Sequence, residues 1–283
     1  MSYDQAEQLR NRLSPERTAK TIAVCSGKGG VGKSNFTLNF SMKLAQENHK
    51  ILVFDLDVGM GNIDLLLGMQ TDYSIADVLN NKISIQDAIV KSPYGIDYIP
   101  GGSGLHDFLE INEHKKAIFY QGLEKVWREY DYVLFDMGAG VTETSLFFIL
   151  AADECFIVTT PEPTSITDAY GMVKHILSNQ PDMPIYTILN RSRNKTEGSN
   201  ILGNFHTVIR RFLDAEARRL GCIPEDGNIM KAVMHQKPYT KLYPKTKASK
   251  AMESILQMYV NDTNKTVRKS GSFIERIKHF MKG

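Results

Sequence analysis

No run of eighteen or more uncharged apolar residues occurs in this sequence, and its first twenty residues, Met1 to Lys20, are polar and charged. The first absence excludes a membrane-spanning helix, the second argues against a secretory leader, and together they predict a protein of the cytosol. Cysteine is scarce. Cys25, Cys155 and Cys222 are odd in number, far apart, and each beside apolar residues, as in Ile22-Ala23-Val24-Cys25. A disulfide framework is therefore excluded, and the three read as reduced core residues. The absence of internal repeats and low-complexity tracts sets aside solenoids and linker-rich chains.

What is present suits one large α/β domain: 283 residues of which 42% are hydrophobic are enough to bury a sizeable core. The formal charge of +2 hides an asymmetry, because residues 1–190 carry 24 acidic against 15 basic side chains and residues 191–283 carry 8 against 19. Any basic partner surface is thus C-terminal, with nucleic acid and an anionic membrane both compatible with that count.

Short apolar runs, Thr21 to Ser26, Ile51 to Asp55, Tyr132 to Asp136, Cys155 to Thr159 and Ile185 to Asn190, read as buried parallel strands. Between them Asn35 to Gln46, Ala117 to Arg128, Ser165 to Ser178 and Asn200 to Leu220 have helical length and spacing. The alternation predicts a doubly wound, mostly parallel sheet flanked by helices, spanning residues 21–260. A segment at 1–20 and a linker with a terminal helix at 261–283 lie outside it.

Gly27-Lys28-Gly29-Gly30-Val31-Gly32-Lys33-Ser34 fits G-x-x-x-x-G-K-[ST], follows a strand and opens a helix, as a phosphate loop requires. Its glycines let successive N–H groups face phosphates, the helix N-terminus adds its dipole, Lys33 reaches the terminal phosphates and Ser34 can ligate Mg²⁺. One lysine suffices for such a loop. Lys28 is a second, and Lys28-Gly29-Gly30-Val31-Gly32-Lys33-Ser34 resembles the signature of the MinD/ParA class of deviant Walker ATPases. The resemblance implies a MinD-like P-loop NTPase that binds ATP with Mg²⁺ through Gly29 to Asn35. It further implies a homodimer around ATP, with Lys28 reaching the partner's nucleotide.

Asp55-Leu56-Asp57 ends the second strand and places two carboxylates on one side of an extended chain, at the sheet edge where ligands bind. Asp55, Asp57 and the following Asn62 are similar to that class's first switch. By the resemblance Asp57 orients the attacking water, Asp55 supports the metal's water shell and Asn62 senses the γ-phosphate. Tyr132 to Asp136 delivers one aspartate from an apolar strand, placing Asp136 to hold Mg²⁺ through water. Gly138-Ala139-Gly140 stands where the class more often has a proline, a departure that bears on switch mobility. The loose transition state of phosphoryl transfer needs mainly positioning and neutralised charge, which Lys28, Lys33 and an oriented water supply. A slow hydrolase is expected.

After Asn190, Arg193 stands where guanine-binding switches place an aspartate, which argues for adenine. The resemblance puts Asn190, Pro224 and Asp226 around the base. In the tail, Phe273, Ile274, Ile277, Phe280 and Met281 share an arc of about 120° on a helix, with Arg276, Lys278, His279 and Lys282 filling the remainder. Such a helix suits the anionic inner surface of a membrane, doubled in a dimer to raise avidity, or packs on the protein's own core; the two readings are compatible in different nucleotide states.

At the head, Asp4-Gln5-Ala6 with Leu9-Arg10 ahead of such a domain resembles the FlhG group (also called YlxH or FleN) of flagellar-number regulators. That resemblance implies partners in the GTPase FlhF and in flagellar basal-body proteins. Gln5 and Arg10 are chemically able to orient water or offset charge at the partner's site. The expectation is an ATP-controlled switch, cytoplasmic and peripheral at the membrane when ATP is bound. A division-site MinD is the alternative, as is a DNA-partitioning ParA that would use Arg210, Arg211, Arg218 and Arg219 on one helix, against which the amphipathic tail weighs. An iron-sulfur-carrying relative needs paired cysteines, and a small-molecule kinase needs an acceptor pocket; neither is indicated.

Overall fold

In a computed structural model, which describes residues 19–57, 63–102, 112–263 and 273–280, the strands form one sheet of eight in the order β3-β4-β2-β5-β1-β6-β7-β8. These are β1 (Lys20–Ser26), β2 (Ile51–Leu56), β3 (Val90–Lys91), β4 (Asp97–Ile99), β5 (Tyr132–Ala139), β6 (Glu154–Thr159), β7 (Ile185–Ser192) and β8 (Arg218–Pro224). Every pairing is parallel except that of β3 with β4. The helices in chain order are α1 (Lys33–Gln46), α2 (Ile63–Leu67), α3 (Ile75–Leu79), α4 (Glu113–Trp127), α5 (Glu143–Ala151), α6 (Pro163–Asn179), α7 (Lys195–Leu213), α8 (Gly227–Met234), α9 (Tyr239–Leu242), α10 (Lys247–Thr263) and α11 (Phe273–Phe280). None of the described helices is long and apolar enough to cross a membrane.

The period of two in a strand divides the apolar side chains between two cores. Phe54 and Phe135 turn to one, with Trp127, Phe148, Met172 and Phe205; Val53 and Leu134 turn to the other, with Phe36, Phe40, Met252 and Tyr259. Both faces are covered, which is why the strands read as continuous apolar runs rather than alternating ones. Register then sets the chemistry. β5 lies between β1 and β2, so that Asp55 pairs with Asp136 and Val24 with the same Asp136, gathering the ends of three strands at one edge.

The predicted helix Asn200 to Leu220 is corrected at both ends. α7 starts at Lys195, where the Asn194 side chain accepts from the Glu197 N–H, and stops at Leu213 because Asp214 turns left-handed at φ 48°. Arg218 and Arg219 lie on the edge strand β8, so they do not share a helix with Arg210 and Arg211. The short pair β3 and β4 was not anticipated. Helix α10 runs into the expected linker as far as Thr263, where Asp262 is bonded to both Tyr186 and Arg218.

Helix α11 takes the packed form of its two readings. Phe273, Ile274 and Ile277 are buried in the first core, contributing about 2 kcal/mol each. The Phe273 ring stacks on Trp127 with centroids 5.1 Å apart. Arg276 donates to the Ala151 carbonyl and to Asp153, and Lys278 pairs with Glu124 at the rim. Met281 and the side chain of Phe280 lie outside the described residues, as do Gln5, Arg10 and Asn62.

The cysteines are free as expected, but scattered only in sequence. β1 and β6 bring Cys25 and Cys155 to an Sγ–Sγ distance of 3.6 Å in the core, while Cys222 is half-buried on β8.

Candidate functional site

At the end of β1 the chain cannot continue as a strand. Gly30 and Gly32 take φ of 75° and 89°, curling the loop so that α1 begins at Lys33. Any side chain at Gly32 would put its Cβ 2.4 Å from Asn190 Nδ2. That amide is occupied: Asn190 donates to the Val31 carbonyl at 2.7 Å and accepts from the Arg191 N–H at 3.0 Å. The end of β7 therefore braces the phosphate loop, with Arg191 held left-handed at φ 59°.

Beneath the loop lies a buried charge cluster. Lys33 Nζ donates to Asp136 Oδ1 at 2.9 Å and stands 3.9 Å from Asp57 Oδ2. Thr37, one turn along α1, donates to the same Asp136 oxygen at 3.0 Å. Asp136 is fully buried, and its Oδ2 has no hydrogen-bond partner among the described residues. A buried carboxylate oxygen without a donor is costly unless something cationic or a bound water meets it, so the residues present fit a hydrated divalent ion here. Burial works to lower the Lys33 ammonium pKa, but Asp136, with Asp57 and Asp55 adding, outweighs it and the pKa is raised. Asp57 is pushed up, by burial first and by the charge of Asp136, while Lys33 opposes the shift. Asp55 sits behind, accepting from the Asp57 and Ile63 N–H groups, which ties both residues to the end of β2.

Lys28 stands apart from this cluster. Its ammonium lies 3.7 Å from Glu162, the N-cap of α6, and 3.4 Å from the Thr164 hydroxyl in the first turn of that helix. Thr160 donates to Glu162, and that bond, with the charges of Lys28 and Arg191, holds the carboxyl below its usual range.

A cavity of about 780 Å³ opens over the loop, within the range of ligand pockets. Gly29 to Asn35, Asp57, Asn190, Pro224 and Asp226 all line it. Lys28, Asp55 and Asp136 do not: the first is drawn to Glu162 and the aspartates lie underneath. Asp226 has its carboxylate turned to the protein, accepting from Asn228 and from the Ala248 N–H. It shapes the turn over the cavity by capping α8. The opposite rim is apolar, with Leu65, Ile229, Met230 and Val233.

Sequence reasoning missed Thr37, Glu162 and Arg191. Thr37 had a weak signal, since a hydroxyl one turn after Lys33 shares its face of α1. Glu162 and Arg191 had none, because tertiary packing alone brings them to the loop.

Comparison with known proteins places this geometry. A family model described as an AAA domain matches residues 19–183. The antiactivator FleN of Pseudomonas aeruginosa is 33% identical over 239 residues, covering 84% of this chain and 85% of that protein. The flagellum site-determining protein YlxH of Helicobacter pylori is 32% identical over 243 residues, covering 86% and 82%. Among solved structures, the cell division ATPase MinD of Pyrococcus furiosus superposes with a TM-score of 0.70 at 25% identity, over 86% of this chain and 99% of that one.

Proposed function

Because this chain belongs to the AAA-domain family and, within it, to the FleN/YlxH group of MinD-like proteins, we propose that it is an ATP-hydrolysing switch that sets flagellar number or placement. The observation that carries the reading is the pairing of Lys33 with the buried Asp136, whose second oxygen faces no donor among the described residues, directly beneath a phosphate loop.

Each residue has a task in that reading. The N–H groups of Gly29 to Ser34 cradle the phosphates, and Lys33 moves from Asp136 to the terminal phosphates as they enter. Ser34, Asp136 and, through water, Asp55 would hold Mg²⁺, which when bound draws charge from the phosphate oxygens. Asp57 orients the attacking water. Lys28 leaves Glu162 and completes the site of a second copy, so hydrolysis is a property of the homodimer. The base lies between Asn190 and the Pro224–Asp226 turn. Dimerisation commits α11 to an anionic membrane surface, where two copies of a weak anchor hold better than one. The 1–20 segment, with Gln5 and Arg10, acts on the FlhF GTPase, and basal-body proteins are the further partners.

Light scattering with a slowly hydrolysed ATP analogue tests the core of this. The wild-type chain should double in mass, and Lys28→Ala should bind nucleotide yet not hydrolyse it. A monomer that hydrolyses ATP unaided would overturn the reading. The fit to a MinD structure favours one second reading, a division-site role. Deleting residues 1–20 separates the two: loss of stimulated hydrolysis by an FlhF-type GTPase keeps the flagellar role, and no change moves the choice to division.

A further inference from the structure

Between Gly227 and Met252 the chain carries six lysines, Lys231, Lys237, Lys241, Lys245, Lys247 and Lys250, and no aspartate or glutamate. All six are exposed, and none is ion-paired with an acid among the described residues. They run along α8, α9 and the start of α10, three helices that pack consecutively. Elsewhere several of the described basic side chains are paired with an acid, as Lys20 with Glu154, Lys43 with Glu253, Arg218 with Asp262 and Arg276 with Asp153.

The same surface holds Met234, the most exposed large apolar side chain among the described residues, and the exposed Met230 beside it. Met234 is 78% exposed and Met230 63%. At about 100° per residue, Met230, Met234, Lys231 and His235 occupy one side of α8, opposite the buried Ala232. Leu65, 58% exposed, joins Met230 at the cavity rim.

We propose that this α8–α10 surface is a second membrane contact, which lays its lysines on anionic lipid headgroups and sinks Met234 into the headgroup boundary. It deepens the membrane reading given above but is separate from α11, which packs on the other face of the sheet. Charge alone fits any polyanion. The apolar side chains decide between them: a phosphodiester backbone offers Met234 no burial, whereas a lipid surface rewards lysine and methionine side by side. Each lysine near an anionic leaflet is worth roughly fivefold in partition, so six make a steep charge dependence without a deep anchor.

The test is co-sedimentation of the full chain with phosphatidylglycerol-rich vesicles, pure phosphatidylcholine vesicles and duplex DNA, with and without the ATP analogue. The variants are the triple reversal K231E/K237E/K241E, Met234→Ser, and the chain ended at Ser270, with nucleotide binding as the check on folding. The proposal expects the triple reversal, which removes three lysines and adds three charges of the lipid's own sign, to lower partition to anionic vesicles by at least about a hundredfold and Met234→Ser to lower it several-fold. Neither change should appear with neutral vesicles. Wild-type partition by the triple reversal overturns it, as does a loss confined to DNA. If only the Ser270 truncation abolishes pelleting, the α11 reading stands and this one falls; if only the surface variants do so, the reverse holds; if no form pellets, both fall.

Discussion

The rings of Phe135 and Phe273 stack with centroids 4.9 Å apart and planes 23° from parallel, and Phe135 directly precedes Asp136 on β5. One residue of that strand thus touches the terminal helix while the next holds the lysine of the phosphate loop. Because successive strand residues face opposite ways, a shift of β5 at its end is felt on both sides of the sheet.

Phe273→Ala should release α11. Removing the stacked ring deletes about 3 kcal/mol of docking energy, close to half of what the three buried side chains supply. The expected result is faster tryptic cleavage between residues 263 and 273, with the melting temperature of the sheet nearly unchanged. A cleavage rate equal to wild type would mean that Arg276 and its partners suffice to hold the helix.

Thr37→Val keeps shape but removes the donor to Asp136. With one restraint gone the carboxylate is free to swing, so Mg²⁺-dependent binding of a fluorescent ATP analogue should need about tenfold more Mg²⁺. Thr37→Ser should restore it. Equal Mg²⁺ requirements in all three would confine Thr37 to helix packing.

Gly32→Ala confronts a left-handed φ and the Asn190 amide at once. A cost of about 1–3 kcal/mol is expected from the backbone alone, and nucleotide binding should be lost as the loop shifts. Urea unfolding and a filter-binding assay read the two separately.

His206 supplies a pH dependence. Its Nε2 lies 2.7 Å from the Thr187 hydroxyl, and burial, then the charges of Arg219 and Arg210, lower its pKa below 6.5, with Glu216 opposing. A depressed histidine favours the neutral form in the folded state, so the unfolded chain takes up its proton first as pH falls. The stabilisation is complete above pH 6.5 and is lost as pH drops through the folded value. His206→Gln should flatten the urea midpoint across that window. An unchanged slope would assign the dependence to other groups.

The parts legible in the sequence were those written in contiguous residues. Gly27 to Ser34 announces a phosphate loop because glycine, lysine and serine are needed at fixed spacing, and Tyr132 to Asp136 announces a strand because it is apolar up to its closing aspartate. What was not legible depends on elements far apart in the chain meeting in space. Asn190 reads as a base contact at the end of a strand and lines the cavity, but that its amide also braces the loop at the Val31 carbonyl is visible only in the fold. Asp226 reads as a base contact and lines the cavity, but that its carboxylate also caps α8 is visible only in the fold. Arg218 and Arg219 continue a helical pattern in sequence and are taken into β8 by pairing with β7, a tertiary choice that local propensity does not encode.

The Cys25 and Cys155 thiols, side by side on β1 and β6 and both fully buried, give the sheet an internal clock. An alkylating reagent reaches them only when those strands part, whereas half-buried Cys222 reacts at the rate of a fluctuating edge. The lag between the first and the later two modifications therefore times the opening of the centre of the sheet. Nucleotide, gripping the loop that starts two residues beyond Cys25, should lengthen that lag while leaving the first modification almost untouched.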